Sequence, residues 1–172
     1  MRVSPQFLFL LFTAVLLAGC GFHLRGQAGM PFGTLYLDTA NSATPFITEL
    51  RRNLEANKVK LVSTAEQADV VLSIVSEIPS KQILSLGGSG RVTEFQLFFR
   101  VSLRAYDLKQ QEWIPAEEIV MHRDFSYDDT KVMSKESEET LLYQSMRSDM
   151  VQQIVRRLSR AKPQAAVTIT SP

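Results

Sequence analysis

The residue types that could do chemistry are few in this chain. It has one cysteine, Cys20, and two histidines, His23 and His122. No cluster of His and Cys residues has metal-ligand spacing, and the sequence carries no P-loop or G-x-S-x-G motif. His122 and Asp124 share a face of a predicted strand and could form an orienting pair, but no nucleophile stands beside them. We therefore predict no catalytic residue and no metal site, so the chain is not expected to be an enzyme.

Cys20 follows a segment with the layout of a secretory signal peptide. Arg2 supplies a positive start, Phe7 to Leu17 is almost wholly apolar, and small residues precede the cysteine. The apolar run is shorter than the roughly 20 residues of a bilayer-spanning helix. An ordinary signal peptide, or a short anchor with an incidental cysteine, is the alternative. The order Leu-Ala-Gly-Cys favours a lipoprotein because it resembles the bacterial lipobox.

A lipobox implies that residues 1–19 are removed and that Cys20 becomes an N-palmitoyl, S-diacylglycerol cysteine. Several acyl chains, at about 0.8 kcal/mol per buried methylene, make a near-permanent anchor. This covalent lipid is the only cofactor expected. Gly21 follows the cysteine, and the absence of an Asp there favours the outer membrane, on its periplasmic side. No second cysteine exists, so no intramolecular disulfide can form.

The charge balance bears on the class of partner. Arg2 is the only charged side chain before Cys20, so the 19 basic and 18 acidic residues of the whole chain become 18 of each after it. This balance argues against a nucleic-acid-binding protein of the kind that binds through a large excess of positive charge. Cations on a sheet face or loop could still receive anionic head groups. The candidates for such contacts are Arg91, Arg100, Arg104, Lys131 and Lys135.

Hydrophobic periodicity predicts the elements that position these residues. The predicted elements are strands at 34–38, 59–62, 70–75, 94–105 and 113–127 and helices at 45–57 and 140–160, in the order β-α-β-β-β-β-α. The Gly-rich segment 79–93 is predicted to be a hairpin tip or flexible loop. Residues 20–33 are interpreted as the acylated cysteine and a tether, 34–160 as the domain, and 161–172 as a flexible tail.

Two amphipathic helices can cover one face of a mixed sheet of about four to five strands. The expected fold class is therefore an α/β (α+β) two-layer sandwich. Both helices are needed to cover the sheet, which disfavours a lipid carrier with a large apolar cavity.

The segment from Cys20 to Gly26 (CGFHLRG) resembles the start of the mature LPS-assembly lipoprotein LptE (RlpB) family. The resemblance continues at 34–38 (TLYLD), 49–54 (ELRRNL), 93–97 (TEFQL), 123–128 (RDFSYD), 134–139 (SKESEE) and 154–158 (IVRRL). It implies a two-layer fold of helices on a mixed sheet. It also implies an outer-membrane lipoprotein that plugs the β-barrel LptD, supports assembly of that barrel and helps deliver lipopolysaccharide to the outer leaflet.

The resemblance also implies direct contact between basic residues and the phosphates of lipopolysaccharide. The matching positions are Lys135, placed before the last helix, and Arg91 in the Gly-rich loop. An outer-membrane lipid-binding or adaptor lipoprotein that acts without a barrel partner is the alternative function.

Overall fold

The fold is a single five-stranded sheet with two helices. The computed structural model describes residues 29–164, so Cys20, the signal peptide and residues 165–172 lie outside the described part of the chain. The elements are β1 (Thr34–Thr39), α1 (Pro45–Ala56), β2 (Lys60–Val62), β3 (Val70–Leu86), β4 (Val92–Tyr106), β5 (Glu112–Ser126) and α2 (Val132–Arg160). Short 3₁₀ turns at Ala65–Gln67 and Asp129–Lys131 precede β3 and α2. The predicted element order is confirmed.

The sheet is mixed, in the order β2-β1-β3-β4-β5. β1 runs parallel to both β2 and β3, and β3, β4 and β5 form an antiparallel meander. β1 pairs with β3 only from Leu35 opposite Val70 to Thr39 opposite Ile74. β3 and β4 pair along almost their whole length. The sheet is therefore five strands wide at one end and three strands wide at the other.

Residues at the helix ends stabilise both helices. The Thr44 side chain accepts a hydrogen bond from the backbone N–H of Ile47, and Pro45 occupies the first turn of α1, where its missing N–H costs nothing. Arg157 and Arg160 lie in the last turn of α2, where positive charge is favourable to the helix dipole. Arg157 also forms an ion pair with Glu117 of β5, which fastens the end of α2 to the sheet.

Apolar side chains from both layers fill the space between the helices and the sheet. Phe46 of α1 meets Phe99 of β4 edge to face, with ring centroids 5.7 Å apart. Alternate residues of β4 are buried on this face, namely Leu97, Phe99, Val101, Leu103 and Ala105, and α2 contributes Met146, Met150, Val151, Ile154, Val155 and Leu158. Each large side chain contributes about 1.5–3 kcal/mol by leaving water. The two-layer α+β architecture predicted from the helix and strand periods is confirmed.

Two element boundaries differ from the sequence-based prediction. β3 continues to Leu86, so most of the segment 79–93 is strand and only residues 87–91 form the turn. α2 begins at Val132, eight residues before the predicted start at Thr140. Both missed stretches are exposed on nearly every side, and such segments carry no hydrophobic periodicity.

The edges of the predicted domain also move outward. Phe32, assigned to the tether, is buried and packs edge to face on Trp113 with centroids 5.6 Å apart. Gly33 donates its N–H to the Asp69 carboxylate at 2.9 Å. Gln164, assigned to the tail, exchanges two backbone hydrogen bonds of 2.8 and 3.0 Å with Glu112. The chain is therefore part of the fold from about Met30 to Gln164.

Candidate functional site

The narrow end of the sheet brings the two candidate lipopolysaccharide-contacting cations to one region. The β3–β4 turn closes through hydrogen bonds from Gly87 N to Arg91 O (2.8 Å) and from Gly90 N to Gly87 O (2.9 Å). Gly90 has a φ of +77°, which residues with a Cβ rarely adopt. Tyr127, after β5, donates its N–H to Thr93 O at 2.8 Å. We call this region, formed by residues 81–95 and 122–139, the hairpin end.

Arg91 lies at the surface of the hairpin end. Its guanidinium donates to the Asp129 carboxylate at 2.9 Å, and its side chain is 71% exposed. A guanidinium carries five N–H donors, and this contact uses one of them. Arg91 can therefore offer further donors to a phosphate without leaving Asp129.

Lys135 lies in the first turn of α2, and the prediction that it precedes the helix is wrong. Its ammonium group donates to Glu138 at 2.7 Å and to the Ser126 hydroxyl at 3.2 Å. The side chain is only 16% exposed, because it bridges the start of α2 and the end of β5. One of its three N–H donors has no protein acceptor among the described residues. Lys135 thus has a structural role besides any ligand-binding one.

Lys81, Lys131 and Arg123 also belong to the hairpin end, and Arg123 pairs with Asp149 of α2. Lys81 forms an ion pair of 2.7 Å with Glu139 and lies over the Phe95 ring, 4.8 Å from its centroid. Lys81 is a residue that sequence reasoning missed, because it falls in the stretch of β3 that was predicted to be loop. Lys131 lies 3.8 Å from the carboxylate of Asp128.

One carboxylate of the hairpin end, that of Asp128, is stabilised in its ionised form. The Thr130 hydroxyl and backbone N–H donate to Asp128 and lower the pKa of its carboxyl group, with smaller contributions from the charges of Lys131 and Lys135. Asp128, Asp129, Glu138 and Glu139 each pair with a cation. Because every cation here has a carboxylate partner, an anionic ligand must share or displace that partner.

Exposed apolar side chains lie among these charges. Four large hydrophobic residues of the hairpin end are between 46% and 78% exposed: Ile83, Leu84, Leu86 and Met133. Exposed apolar side chains beside charged groups are typical of a surface that meets an amphipathic ligand or a protein.

The other candidate residues of the sequence do not assemble a catalytic site. His122 lies beside Phe98, with ring centroids 6.2 Å apart, and Asp124 accepts a hydrogen bond of 2.7 Å from Gln96. The possible His122–Asp124 pair is therefore not formed. Arg100 and Arg104 lie on the sheet face away from the helices, where each stacks on a neighbouring aromatic ring.

Neither a metal-ion site nor a membrane-spanning helix is found among the described residues. Within residues 29–164, no three His, Cys, Asp or Glu side chains are grouped so that they could hold a metal ion. In the same range, no helix has the length and apolar character needed to cross a bilayer. Three clefts of about 340–400 Å³ open at the surface, at the end of β1, beside β2 and between the C-terminal parts of α1 and α2.

Comparison with known proteins identifies the family. The family model described as "LptE: Lipopolysaccharide-assembly" matches residues 32–158, which include all five strands and nearly all of α2. The LPS-assembly lipoprotein LptE of Pectobacterium atrosepticum is 32% identical over 156 residues, covering 88% of this chain and 84% of that protein. The protein of the same name from Yersinia pestis is 32% identical over 158 residues, covering 87% and 73%.

Solved structures agree on the fold. The solution structure of an uncharacterized lipoprotein B from Nitrosomonas europaea superposes with a TM-score of 0.70 at 37% identity, covering 81% of this chain and 90% of that one. The rare lipoprotein B of Shewanella oneidensis gives a TM-score of 0.67 at 24% identity over 74% and 94%, a likeness of fold alone. Taken with the family model and the LptE relatives, these matches show that the chain belongs to the lipopolysaccharide-assembly lipoprotein LptE family.

Proposed function

We propose that this protein is the outer-membrane lipoprotein subunit of the lipopolysaccharide translocon. In this role it plugs the β-barrel LptD, supports assembly of the barrel and helps deliver lipopolysaccharide to the outer leaflet. The observation that carries the proposal is the family match over residues 32–158, since it covers the whole sheet rather than a short motif. The protein is proposed to act by binding, with no chemical step of its own.

The proposed location depends on Cys20. Its thiol and new amino terminus carry the lipid, and residues 21–29 join the anchor to the fold. The domain enters its first strand at Gly33 and Thr34, where the Asp69 carboxylate accepts both backbone N–H groups at 2.9 and 2.8 Å. The anchor therefore joins the wide end of the sheet, opposite the hairpin end. Because β3 spans 17 residues, at about 3.3 Å each, the two ends are separated by about 55 Å.

Lipopolysaccharide is proposed to contact the hairpin end through Arg91 and Lys135. Its phosphates are multivalent acceptors, and a guanidinium and an ammonium are the donors that bind phosphate most strongly. Arg91 is exposed and has unused donors, while Lys135 must share its ammonium with Glu138. The exposed side chain of Met133, in the same turn of α2 as Lys135, offers apolar surface to the rest of an amphipathic molecule.

The alternative of a lipid-binding lipoprotein without a barrel is less well supported. A carrier must enclose acyl chains in an apolar cavity. The space between the helices and the sheet is filled by buried side chains, and the three clefts described above lie at the surface. No observation favours this alternative over the translocon subunit.

The test is purification of the lipoprotein from its own membranes together with depletion in cells. We expect a large β-barrel protein to co-purify in a fixed ratio, and we expect depletion to reduce both the assembled barrel and the lipopolysaccharide at the cell surface. Isolation of the lipoprotein alone, with barrel assembly unaffected by depletion, would contradict the proposal.

A further inference from the structure

The inner strand β3 becomes a free edge half-way along its length. β1 stops at Thr39, opposite Ile74, and the chain then turns away through residues 40–44 into α1. β3 continues for twelve more residues, 75–86, with β4 on one side only. Within residues 29–164, no strand pairs with the other side of this stretch. Its outward backbone N–H and C=O groups are therefore available to another strand. We call residues 75–86 the free edge.

The free edge is also apolar. Ten large hydrophobic residues are exposed in the described chain, and five of them lie here: Val75, Ile78, Ile83, Leu84 and Leu86, at 46–66% exposure. Proteins usually protect a free edge with charges or prolines. Here Pro79 removes one N–H, and Lys81 is turned towards Glu139 of α2. The edge is thus weakly protected for a strand of this length.

The geometry of the free edge suits one added strand. Bulges interrupt the pairing with β4 between Ile74 and Ser76 and again between Ile83 and Ser85, so residues 76–83 form a regular run of about 26 Å. A cleft of about 370 Å³ opens where β1 ends, and Thr39, Pro45, Val75 and Pro79 are among its lining residues. The cleft could receive the first side chains of a strand that continues the line of β1.

We propose that the free edge binds an extended segment of the barrel partner as an additional β-strand. This proposal rests on the proposed function, and it adds the surface and the mode of contact. A closed barrel leaves no free strand edge, so the segment must be a loop or terminus of that protein. Main-chain hydrogen bonds to residues 76–83 supply affinity. Apolar side chains that pack on Ile78 and Ile83 supply specificity.

The ends of this chain are poorly placed to occupy the free edge. The N-terminal segment enters at Gly33, beside Asp69 at the opposite end of the sheet. Gln164 pairs antiparallel with Glu112 at the start of β5, which lies at the far edge of the sheet from β1 and β2 and is separated from β3 by β4.

A second copy of the chain is also a poor occupant. Pairing of two free edges brings Pro79 of both copies into the new ladder, so two backbone N–H groups are missing instead of one.

Backbone amide hydrogen exchange tests strand addition directly. The full-length lipoprotein is compared alone and in its purified complex with the barrel. In the isolated protein we expect the amides of residues 76–83 to alternate between slow exchange, where they bond to β4, and fast exchange, where they face the free edge. In the complex the fast amides should slow at least about tenfold. Unchanged exchange of these amides in the complex would overturn the proposal.

Matched variants give a second readout. The double variant I78E/I83E places carboxylates on both faces of the free edge, and the control L108E/L141E changes two equally exposed leucines elsewhere. We expect the edge variant to retain its thermal transition but to recover at least about tenfold less barrel than the control. Equal recovery by the two variants would overturn the proposal while leaving the proposed function intact. If the wild-type lipoprotein recovers no barrel, the proposed function itself fails.

Discussion

Lys135 and Glu138 should affect lipopolysaccharide binding in opposite directions. The ammonium of Lys135 is 2.7 Å from the Glu138 carboxylate, and the two side chains are 16% and 46% exposed. A phosphate that binds Lys135 must compete with this carboxylate. Removing the carboxylate in Glu138→Gln should therefore strengthen binding, and removing the ammonium in Lys135→Met should weaken it.

The magnitudes follow from the partial exposure of the pair. Partly exposed ion pairs contribute about 0.2–1 kcal/mol. Releasing Lys135 should therefore raise the affinity for lipopolysaccharide by about 1.4- to 5-fold. A hydrogen bond to a charged group contributes about 1.5–3 kcal/mol, so Lys135→Met should lower the affinity by about 10- to 150-fold. Both changes should lower the free energy of unfolding by about 1 kcal/mol or less, because both break the same pair.

The assay is titration of the detergent-solubilised, full-length lipoprotein with lipopolysaccharide at fixed ionic strength. Lys60→Met is the matched control, since Lys60 is an exposed lysine on β2, at the opposite edge of the sheet. The reasoning would be refuted if Glu138→Gln weakened binding as much as Lys135→Met. It would also be refuted if Lys135→Met bound as well as Lys60→Met. Either result would leave Lys135 with its structural role only.

Three further predictions concern stability and the exposed cation. Asp69→Ala should lower the free energy of unfolding by about 1 kcal/mol at pH 7, because two backbone N–H groups lose their acceptor. Those N–H groups lower the pKa of the Asp69 carboxyl in the folded protein, so the stabilisation by Asp69 is fully present above the unfolded pKa of about 3.9. Denaturation curves at several pH values should show that the difference between the variant and the wild type disappears as the pH falls through the lowered pKa. Leu97→Ala should cost about 2–5 kcal/mol in a chemical denaturation curve, because the side chain is fully buried, whereas Leu108→Ala, at 57% exposure, should cost less than about 0.5 kcal/mol. Arg91→Ala should change unfolding by less than about 0.5 kcal/mol, because its pair with Asp129 is exposed, yet it should weaken lipopolysaccharide binding in the same titration.

The sequence predicted the elements that bury one face. β4 alternates from Phe95 to Ala105, and the alternate residues from Leu97 onwards are buried. The apolar stripe of α2 from Met146 to Leu158 is buried as well. The hydrophobic periodicity agrees with the burial because each element packs one face against the core, and its apolar residues lie on that face.

The hairpin end could not be predicted in the same way. The outer half of β3 has both faces exposed, and the first two turns of α2, from Val132, contain no buried residue. Such segments have no hydrophobic periodicity, so their structure depends on contacts with residues that are distant in sequence. Lys81 and Glu139 form an ion pair although they are 58 residues apart in sequence, and no local pattern indicates that contact.

The candidate cations were found by resemblance, but their partners were found only in three dimensions. Arg91 and Lys135 were assigned from the resemblance, while Asp129 and Glu138, which form ion pairs with them, were not assigned a role. Adjacent acidic residues are common on surfaces, and their pairing depends on the turn after β5 and the start of α2. Whether a charged side chain forms an ion pair depends on such contacts, which its position in the sequence does not indicate.

Photo-crosslinking in living cells tests most directly whether the hairpin end handles lipopolysaccharide. The crosslinking residue replaces Ser89 in the β3–β4 turn or Met133 in the first turn of α2, both exposed, and Leu108 in the β4–β5 turn serves as the control. We expect adducts with lipopolysaccharide from Ser89 and Met133 while transport is active, and none from Leu108. An absence of lipopolysaccharide adducts at both positions, or equal capture from Leu108, would contradict it.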